Sequence, residues 1–252
     1  MTGGSETRVD PHVKLLDETI VARAKARGLD AVVYAPHFTR LPEIRTRARQ
    51  FTDEELTVIP AREVFTGTWR NRRHVLALDL DAPVPDFISL EAAFREFNRQ
   101  DAVVLVPHPD YLTVSLDRAA IEQFRAAIHG VETYNPKHVS RHNRRACGIA
   151  EATGLPAFGS SYAHLPGTIG EVWTAYESVD GDQAALIEAF RAGTSRTVEH
   201  RTGLGHQLRR AAEMGHFIYE NSIAKFDRVV LSGLEPTHPN QDAYADQFSV
   251  AQ

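Results

Sequence analysis

Apolar and polar positions follow alternating helical and extended patterns along most of the chain. Helical spacing over 17–27, closed by Gly28, precedes a continuous apolar run over 29–34, which is typical of a buried strand. Further helices are expected over 42–50, 90–99, 116–128 and 138–153, and further strands over 56–65, 74–80, 102–106, 131–134 and 156–160. Continuous apolar runs between amphipathic helices favour parallel strands covered on their outer face, so the pattern predicts an α/β barrel.

The alternation weakens beyond Val172-Trp173-Thr174. A helix is expected over 183–191, and a longer helical stretch over 204–226. The residues from 235 onward are polar and have no period, which indicates a loose tail. We therefore expect a barrel domain over 8–200, a helical segment over 201–234 and a flexible tail over 235–252.

Composition narrows the class of protein. The 252 residues, 42% of them hydrophobic, are ordinary for one large soluble domain, and the net charge of −5 argues against a surface that coats nucleic acid. A single cysteine, Cys147, cannot form an internal disulfide, and its helical setting predicts a packed thiol in a reducing compartment. Without the pattern of a signal peptide or a membrane span, we expect a cytoplasmic protein that does not enter membranes.

One glutamate and several histidines stand at or beside the ends of the apolar runs. His37, His108 and His164 follow such runs, whereas His74 begins one. In a barrel, the carboxyl ends of the strands meet at one mouth, where side chains from separate strands can share a metal. The candidate ligands are His12, His37, Glu63, His74, His108 and His164. A donor set so rich in nitrogen suits zinc, manganese or iron better than magnesium, so we expect one or two such divalent ions.

The order of motifs from about residue 9 to residue 170 resembles the PHP (polymerase and histidinol phosphatase) superfamily. The matching motifs are Asp10-Pro11-His12-Val13-Lys14, Asp17-Glu18-Thr19-Ile20, Ala35-Pro36-His37, Pro60-Ala61-Arg62-Glu63, His74-Val75-Leu76, Pro107-His108-Pro109, Val131-Glu132-Thr133-Tyr134-Asn135 and Ser161-Tyr162-Ala163-His164. The stretch from Gly205 to Ser222 is similar to the short PHP-associated helical segment. The resemblance implies a distorted TIM-like (β/α)7 barrel with a short C-terminal helical extension, and a metal-dependent phosphoesterase.

Three departures from the family pattern change the expected metal centre. Lys14 stands where the family has a histidine, and Pro36 and Tyr162 stand where it has aspartates. The resemblance implies three metal positions. The first keeps His12 and Glu63, the second keeps all of Glu63, His74 and His108, and the third has His37 and His164 with Asp17 as a stand-in. Exchanging a dication and an aspartate for a lysine leaves the local charge unchanged, so we expect the Lys14 ammonium beside Glu63, where the first metal would lie.

The expected activity is hydrolysis of a small phosphorylated substrate. We expect Glu63, His108 and Lys14 to carry the catalysis, while Arg73, Asn135, Lys137, Arg141 and Tyr162, with Arg62 nearby, hold the substrate phosphate. An amidohydrolase is disfavoured because His12-Val13-Lys14 lacks a His-x-His pair. A binding or regulatory protein on a barrel that has lost catalysis stays open. The sequence has no interleaved track of aromatic and basic residues, so it neither supports nor excludes nucleic acid, and it leaves the oligomeric state open.

Overall fold

The computed structural model describes residues 6–111, 114–219, 233–244 and 247–251. The strands are β1 (Glu6–Val13), β2 (Ala31–Tyr34), β3 (Thr57–Thr66), β4 (Arg73–Leu78), β5 (Val103–Val106), β6 (Gly130–Tyr134), β7 (Ala157–Gly159), β8 (Val172–Glu177) and β9 (Arg196–His200). The helices are α1 (Glu18–Ala26), α2 (Leu41–Phe51), α3 (Leu90–Arg99), α4 (Arg118–Gln123), α5 (Ser140–Thr153), α6 (Gln183–Arg191) and α7 (Leu204–Tyr219). The expected stretch 220–226 of the last helix lies outside the described residues.

The strands form one sheet in the order β7-β6-β5-β4-β3-β2-β1-β8-β9. The expectation of parallel strands is correct for β1–β2–β3 and β5–β6–β7, but it is wrong for β4, which runs antiparallel to both of its neighbours. Only residues 67–72 join β3 to β4, and a parallel connection needs roughly a dozen residues or more. The turn begins at Gly67 (φ +80°), where a Cβ atom would lie 2.4 Å from the carbonyl oxygen of Asn71.

The sheet curves so that β7, at one edge, approaches β8 and β9 at the other end of the strand order. The hydroxyl of Thr174 on β8 accepts a hydrogen bond from the Gly159 amide and donates one to the Gly159 carbonyl, both at 3.1 Å. A Cβ atom on Gly159 would lie 2.4 Å from Val198 of β9, so this approach requires glycine. The nearly closed sheet and the seven helices of the described part confirm the expected distorted TIM-like barrel.

Helices cover the outside of the barrel with their apolar faces. In α3, for example, Phe94 and Phe97 are buried at i, i+3 spacing, and the Ser89 hydroxyl caps the helix by accepting from the Ala92 amide at 3.1 Å. The inside of the barrel is filled by residues that alternate along the strands, such as Ile59 and Ala61 of β3. No helix among the described residues is both long and apolar enough to cross a membrane.

Arg62 is a structural residue and not the phosphate-binding residue expected from its position in the sequence. Its guanidinium is fully buried and donates to Asp86 at 2.9 Å and to the carbonyl of Thr39 at 2.6 Å. The other carboxylate oxygen of Asp86 accepts from the backbone amide of Phe65 at 2.8 Å. The pair therefore fixes β3 against the loops that follow β2 and precede α3.

The expectation of a loose tail from residue 235 is wrong for the described part of that segment. The backbone carbonyl of Thr237 accepts from the Asp86 amide at 2.8 Å, and the Ala251 amide donates to the Phe87 carbonyl at 2.7 Å. Tyr244 is only 2% exposed. A few aromatic and polar contacts hold this segment to the barrel without any helical or extended period, so the sequence pattern gave no sign of them.

Replacing Asp86 with alanine should destabilise the fold strongly, because the Arg62 guanidinium would lose its carboxylate partner inside the protein. Loss of one partner of a buried pair costs about 3–5 kcal/mol. Urea unfolding followed by circular dichroism measures the change. The control is Glu122→Ala, which removes an exposed i,i+4 pair with Arg118 and should change stability by less than about 0.5 kcal/mol. Equal effects of the two substitutions would contradict this assignment.

Candidate metal centre

Glu63 lies at the centre of the candidate site. Strand alternation places it on the inner face of β3, beyond Ile59 and Ala61, and its side chain is fully buried. Burial alone would raise the pKa of this carboxyl, but Lys14 and the surrounding imidazoles outweigh that effect and hold its pKa well below the ordinary value. Glu63 is therefore an ionised carboxylate in the barrel interior.

The β3–β4 hairpin fixes His74 relative to Glu63. His74 pairs with Phe65 across the hairpin, and the two rings stack with centroids 3.8 Å apart. This places Nδ1 of His74 3.2 Å from Oε1 of Glu63. Because β4 is reversed, a histidine at its start lies at the same mouth as residues at the ends of the parallel strands. Burial lowers the pKa of His74 to about 4, so its ring stays neutral near pH 7.

His108 is oriented by two polar partners that sequence reasoning did not identify. The Ser115 hydroxyl donates to the Tyr111 carbonyl at 2.9 Å, so it accepts from Nδ1–H of His108, also at 2.9 Å. The backbone amide of His108 donates to the buried carboxylate of Glu132 at 2.7 Å. Because Nδ1–H is used in this bond, Nε2 is the nitrogen that faces Oε1 of Glu63, at 3.3 Å. A histidine that is held through Nδ1–H in this way presents Nε2 to a metal.

His12 has unused hydrogen-bonding capacity beside the same carboxylate. It is fully buried, and neither ring nitrogen has a hydrogen-bond partner within the part of the chain that the structure describes. Nε2 lies 3.7 Å from Oε2 of Glu63. Burial, assisted by the nearby charge of Lys14, lowers the pKa of His12 to about 3. A neutral, buried and unpaired imidazole aimed at a carboxylate is rare unless a further ligand belongs there.

Lys14 lies beside Glu63, next to the position where the resemblance places a first metal. Its ammonium donates to Oε2 of Glu63 and, at 2.6 Å, to the carbonyl of Ala35. It also lies 5.3 Å from the centre of the Tyr162 ring. Burial lowers the pKa of Lys14 to about 8, against the opposing attraction of Glu63.

The residues expected at a third metal position lie in different surroundings. Nε2 of His37 donates to Oε2 of Glu63 at 2.8 Å, and its ring centroid is 5.7 Å from that of His164. Asp17 instead caps α1: its exposed carboxylate accepts from the Ile20 amide at 2.9 Å. The structure thus gives Asp17 a helix-capping role in place of the expected ligand role.

The expected phosphate-binding residues do not form one group. Asn135 is buried, donating to Glu132 at 3.1 Å and accepting from the Lys137 amide. Arg73 forms a partly exposed pair with Asp117 at 3.7 Å, and Arg141 is exposed at the start of α5. The ammonium groups of Lys137 and Lys14 lie 4.3 Å and 5.3 Å from the centre of the Tyr162 ring. Only Lys137 and Tyr162 are therefore buried next to Lys14.

Helix α7 closes one side of the site through Glu213, a residue that the sequence reading did not single out. Its Oε1 accepts from the amides of His164 at 3.0 Å and Leu165 at 2.9 Å, and from the hydroxyl of Thr168. Its Oε2 lies 3.2 Å from the ammonium of Lys137. These partners are distant in the sequence, and a single acidic residue on an amphipathic helix carries no signal of its own.

The residues present fit a divalent cation at the second position. One donor atom from each of Glu63, His74 and His108 lies within 4.8 Å of the others, and all three side chains are buried. Nδ1–H of His108 donates to Ser115, so Nε2 is the ring nitrogen that faces Oε1 of Glu63, at 3.3 Å. A carboxylate with two imidazoles is a common transition-metal set.

Comparison with a family model locates one matching segment. The model described as PHP-associated matches residues 140–195. This range covers α5, β7, β8 and α6 in the barrel and precedes the segment 201–234, to which the resemblance of motifs had assigned that name. No curated protein sequence matches the chain.

Several solved structures share the fold. PsfC from Pseudomonas syringae is 18% identical, with a TM-score of 0.61, over 87% of this chain and 99% of that one. A Bifidobacterium adolescentis protein described as a metal-dependent phosphoesterase is 14% identical, with a TM-score of 0.53, over 74% and 96%. Endonuclease Q, in complex with a duplex carrying an abasic lesion at the active site, is 16% identical with a TM-score of 0.57; the match covers 77% of this chain but only 58% of that protein.

Replacing Glu213 with alanine should release α7 from the barrel. Three donors to Oε1 and the ammonium of Lys137 would lose their acceptor, and each unsatisfied buried donor costs about 1–3 kcal/mol. Hydrogen exchange of the amides in 204–216 should therefore accelerate at least roughly a hundredfold. The matched control is Glu188→Ala, whose exposed carboxylate pairs with Arg191 on α6. Unchanged exchange in α7 of the Glu213 variant would contradict the anchoring role.

Proposed function

We propose that the chain is a PHP-type, metal-dependent hydrolase of phosphate esters, a proposal supported by the PHP-associated match over residues 140–195 and by the shared fold. The observation that supports this most directly is the buried set of Glu63, His74 and His108, whose donor atoms converge. We propose that these three residues hold one divalent ion, of zinc, manganese or iron. When bound, such an ion supplies Lewis acidity for a phosphoryl group and for the attacking water.

The charges around this set favour an anionic substrate. Glu63 is balanced by Lys14, Lys137 is paired with Glu213, and the imidazoles of His12 and His74 are neutral. Because these charges cancel, a bound divalent cation would give the site a net positive charge, in a region shielded from water. Such a site attracts a phosphate dianion, and buried positive charge aimed at the phosphoryl oxygens also stabilises the charge that develops during transfer.

We propose that Lys14 has taken over the charge of the first metal position. Its ammonium contacts the oxygen of Glu63 that does not face His74 or His108. A lysine holds a carboxylate or phosphate oxygen as a point charge, but it cannot acidify water as a metal does. In this proposal Lys14 orients Glu63 and binds a phosphate oxygen, while His12, with two unpaired nitrogens, binds a water or a substrate oxygen.

We propose that the substrate is a small phosphorylated molecule that also contacts Tyr162 and Lys137. The neighbour that acts on DNA, Endonuclease Q, makes a phosphodiester of nucleic acid the competing substrate class. The second candidate function is a binding protein without catalysis. It is favoured by the same pairing of Lys14 with Glu63, because that contact uses up an oxygen which a second metal would need.

Metal content provides the first test of the hydrolase proposal. The full-length protein, purified after growth with zinc or manganese, should carry close to one equivalent by mass spectrometry. His74→Ala or His108→Ala should lower metal affinity by more than the roughly 10–100-fold that loss of an outer-shell partner costs. The control is His129→Ala, whose ring accepts from the Val104 amide at the opposite end of β5. A wild-type protein that carries no metal, with equal content in all the variants, would favour the binding protein.

Activity of Lys14 variants provides the second test. A panel of phosphomonoesters and phosphodiesters, assayed with added manganese or zinc, should show hydrolysis that falls at least about tenfold in Lys14→His. The control is Lys25→His, which alters a lysine paired with Asp53 and Glu55 on the outer surface. If Lys14→His instead raises both metal content and rate, Lys14 is a lost ligand and its proposed role is wrong. The preferred ester in the panel separates a small phosphorylated molecule from a nucleic-acid diester.

A further inference from the structure

A cavity lies apart from the candidate metal centre, between α5, the ends of β6 and β9, and α7. We call it the second cavity, to distinguish it from the interior of the barrel mouth. Its volume is about 390 Å³, which falls in the range of roughly 300–1,000 Å³ typical of sites for small molecules. None of the candidate metal ligands lines it. The cavity is therefore a separate place where a ligand of limited size could bind.

Two arginines, Arg144 of α5 and Arg210 of α7, line this cavity, and none of its described lining residues carries a carboxylate. Arg210 is held in place because its guanidinium donates to the carbonyls of Pro136 at 2.9 Å and His138 at 2.8 Å. Arg144 forms no ion pair with any residue in the described part of the chain. Planar guanidinium groups with spare donors recognise carboxylate and phosphate groups, so the cavity is suited to an anion.

Two stacked aromatic rings line another side of the cavity. The rings of Tyr134 and His200 are stacked, with centroids 4.3 Å apart and planes within 7° of each other. Nδ1–H of His200 donates to the carbonyl of Arg201 at 2.9 Å, which holds its ring in position. Val198 and Cys147 add apolar surface beside this pair. A ligand with a planar body can stack on an outer face of this pair.

We infer that this cavity binds a small organic anion, with a carboxylate or phosphate group held by Arg144 and Arg210 and a planar body against Tyr134 and His200. The site is connected to the metal centre, because Arg210 lies one helical turn before Glu213 on α7. An anion that is held by Arg210 would thus strengthen the docking of the helix that positions His164. The inference stands independently of the proposed hydrolase activity.

The rate at which the Cys147 thiol is chemically modified can show whether the cavity is occupied. Cys147 is the only cysteine of the chain, is exposed and lines this cavity. We would measure its modification in the full-length protein by a dianionic disulfide, dithiobisnitrobenzoate, and by a neutral one, dithiodipyridine. We expect Arg144→Gln to lower the ratio of the modification rate with the dianionic reagent to the rate with the neutral reagent about three- to fivefold. The reason is that a positive charge near Cys147 is lost. The control Arg118→Gln removes an exposed arginine of α4 and should leave the ratio unchanged.

Protection by phenylphosphonate, a phosphate analogue with a planar body that resists hydrolysis, tests the ligand class. It should slow the modification of Cys147 saturably and at lower concentration than inorganic phosphate, and Arg144→Gln should weaken this protection. Equal rate ratios in wild type and Arg144→Gln, or protection that does not saturate, would overturn the inference. Because the readout is a thiol reaction in the second cavity, failure of the hydrolase proposal would leave this result unaffected.

Discussion

A charged carboxylate in the middle of the barrel is the constraint on which the candidate site depends. Removing an ionised group from water costs several kcal/mol, and the fold tolerates it only if polar partners surround both oxygens. Around Glu63 these partners are the ammonium of Lys14 and the rings of His37, His74 and His108. Each partner comes from a different strand or from the loop that follows it, so the sheet must close before the charge is compensated. Closure of the barrel and compensation of the buried charge of Glu63 therefore depend on each other.

The backbone is strained at the same mouth. Phe38, His108 and Tyr162 have positive φ angles of 50°, 35° and 46°, although none of them is glycine. Left-handed conformations at bulky residues persist only where the surrounding structure enforces them, and they concentrate at functional sites. Here they occur in the loops after β2, β5 and β7, where they turn the chain so that neighbouring side chains point across the barrel. The regular strands, which are buried and tightly paired, hold these loops in place.

Much of the fold was predictable because hydrophobic periodicity is a local property. The stretches expected as α3 and α6 coincide with the observed helices, and the barrel follows from the alternation of strands and helices. The features that the sequence did not predict are long-range or depend on single contacts. Hydrophobic periodicity does not reveal the reversal of β4, the buried ion pair of Arg62 with Asp86 or the packing of Tyr244. Cys147, expected to be packed, is exposed, because its position on α5 faces the second cavity instead of the barrel.

For the site, motif order identified the residues that converge, but not what holds them. Glu63, His74 and His108 come together as a possible donor set, whereas Ser115 and Glu213 were not singled out and Glu132 was noted only as part of a motif, with no role. The reversed β4 also has a consequence for how this barrel can vary. Its hairpin register sets the spacing between Glu63 and His74 within the strands, while the turn 67–72 lies beyond them at the mouth. The turn can therefore lengthen or change its chemistry without moving either residue, so the shape of the entrance can evolve separately from the donors beneath it.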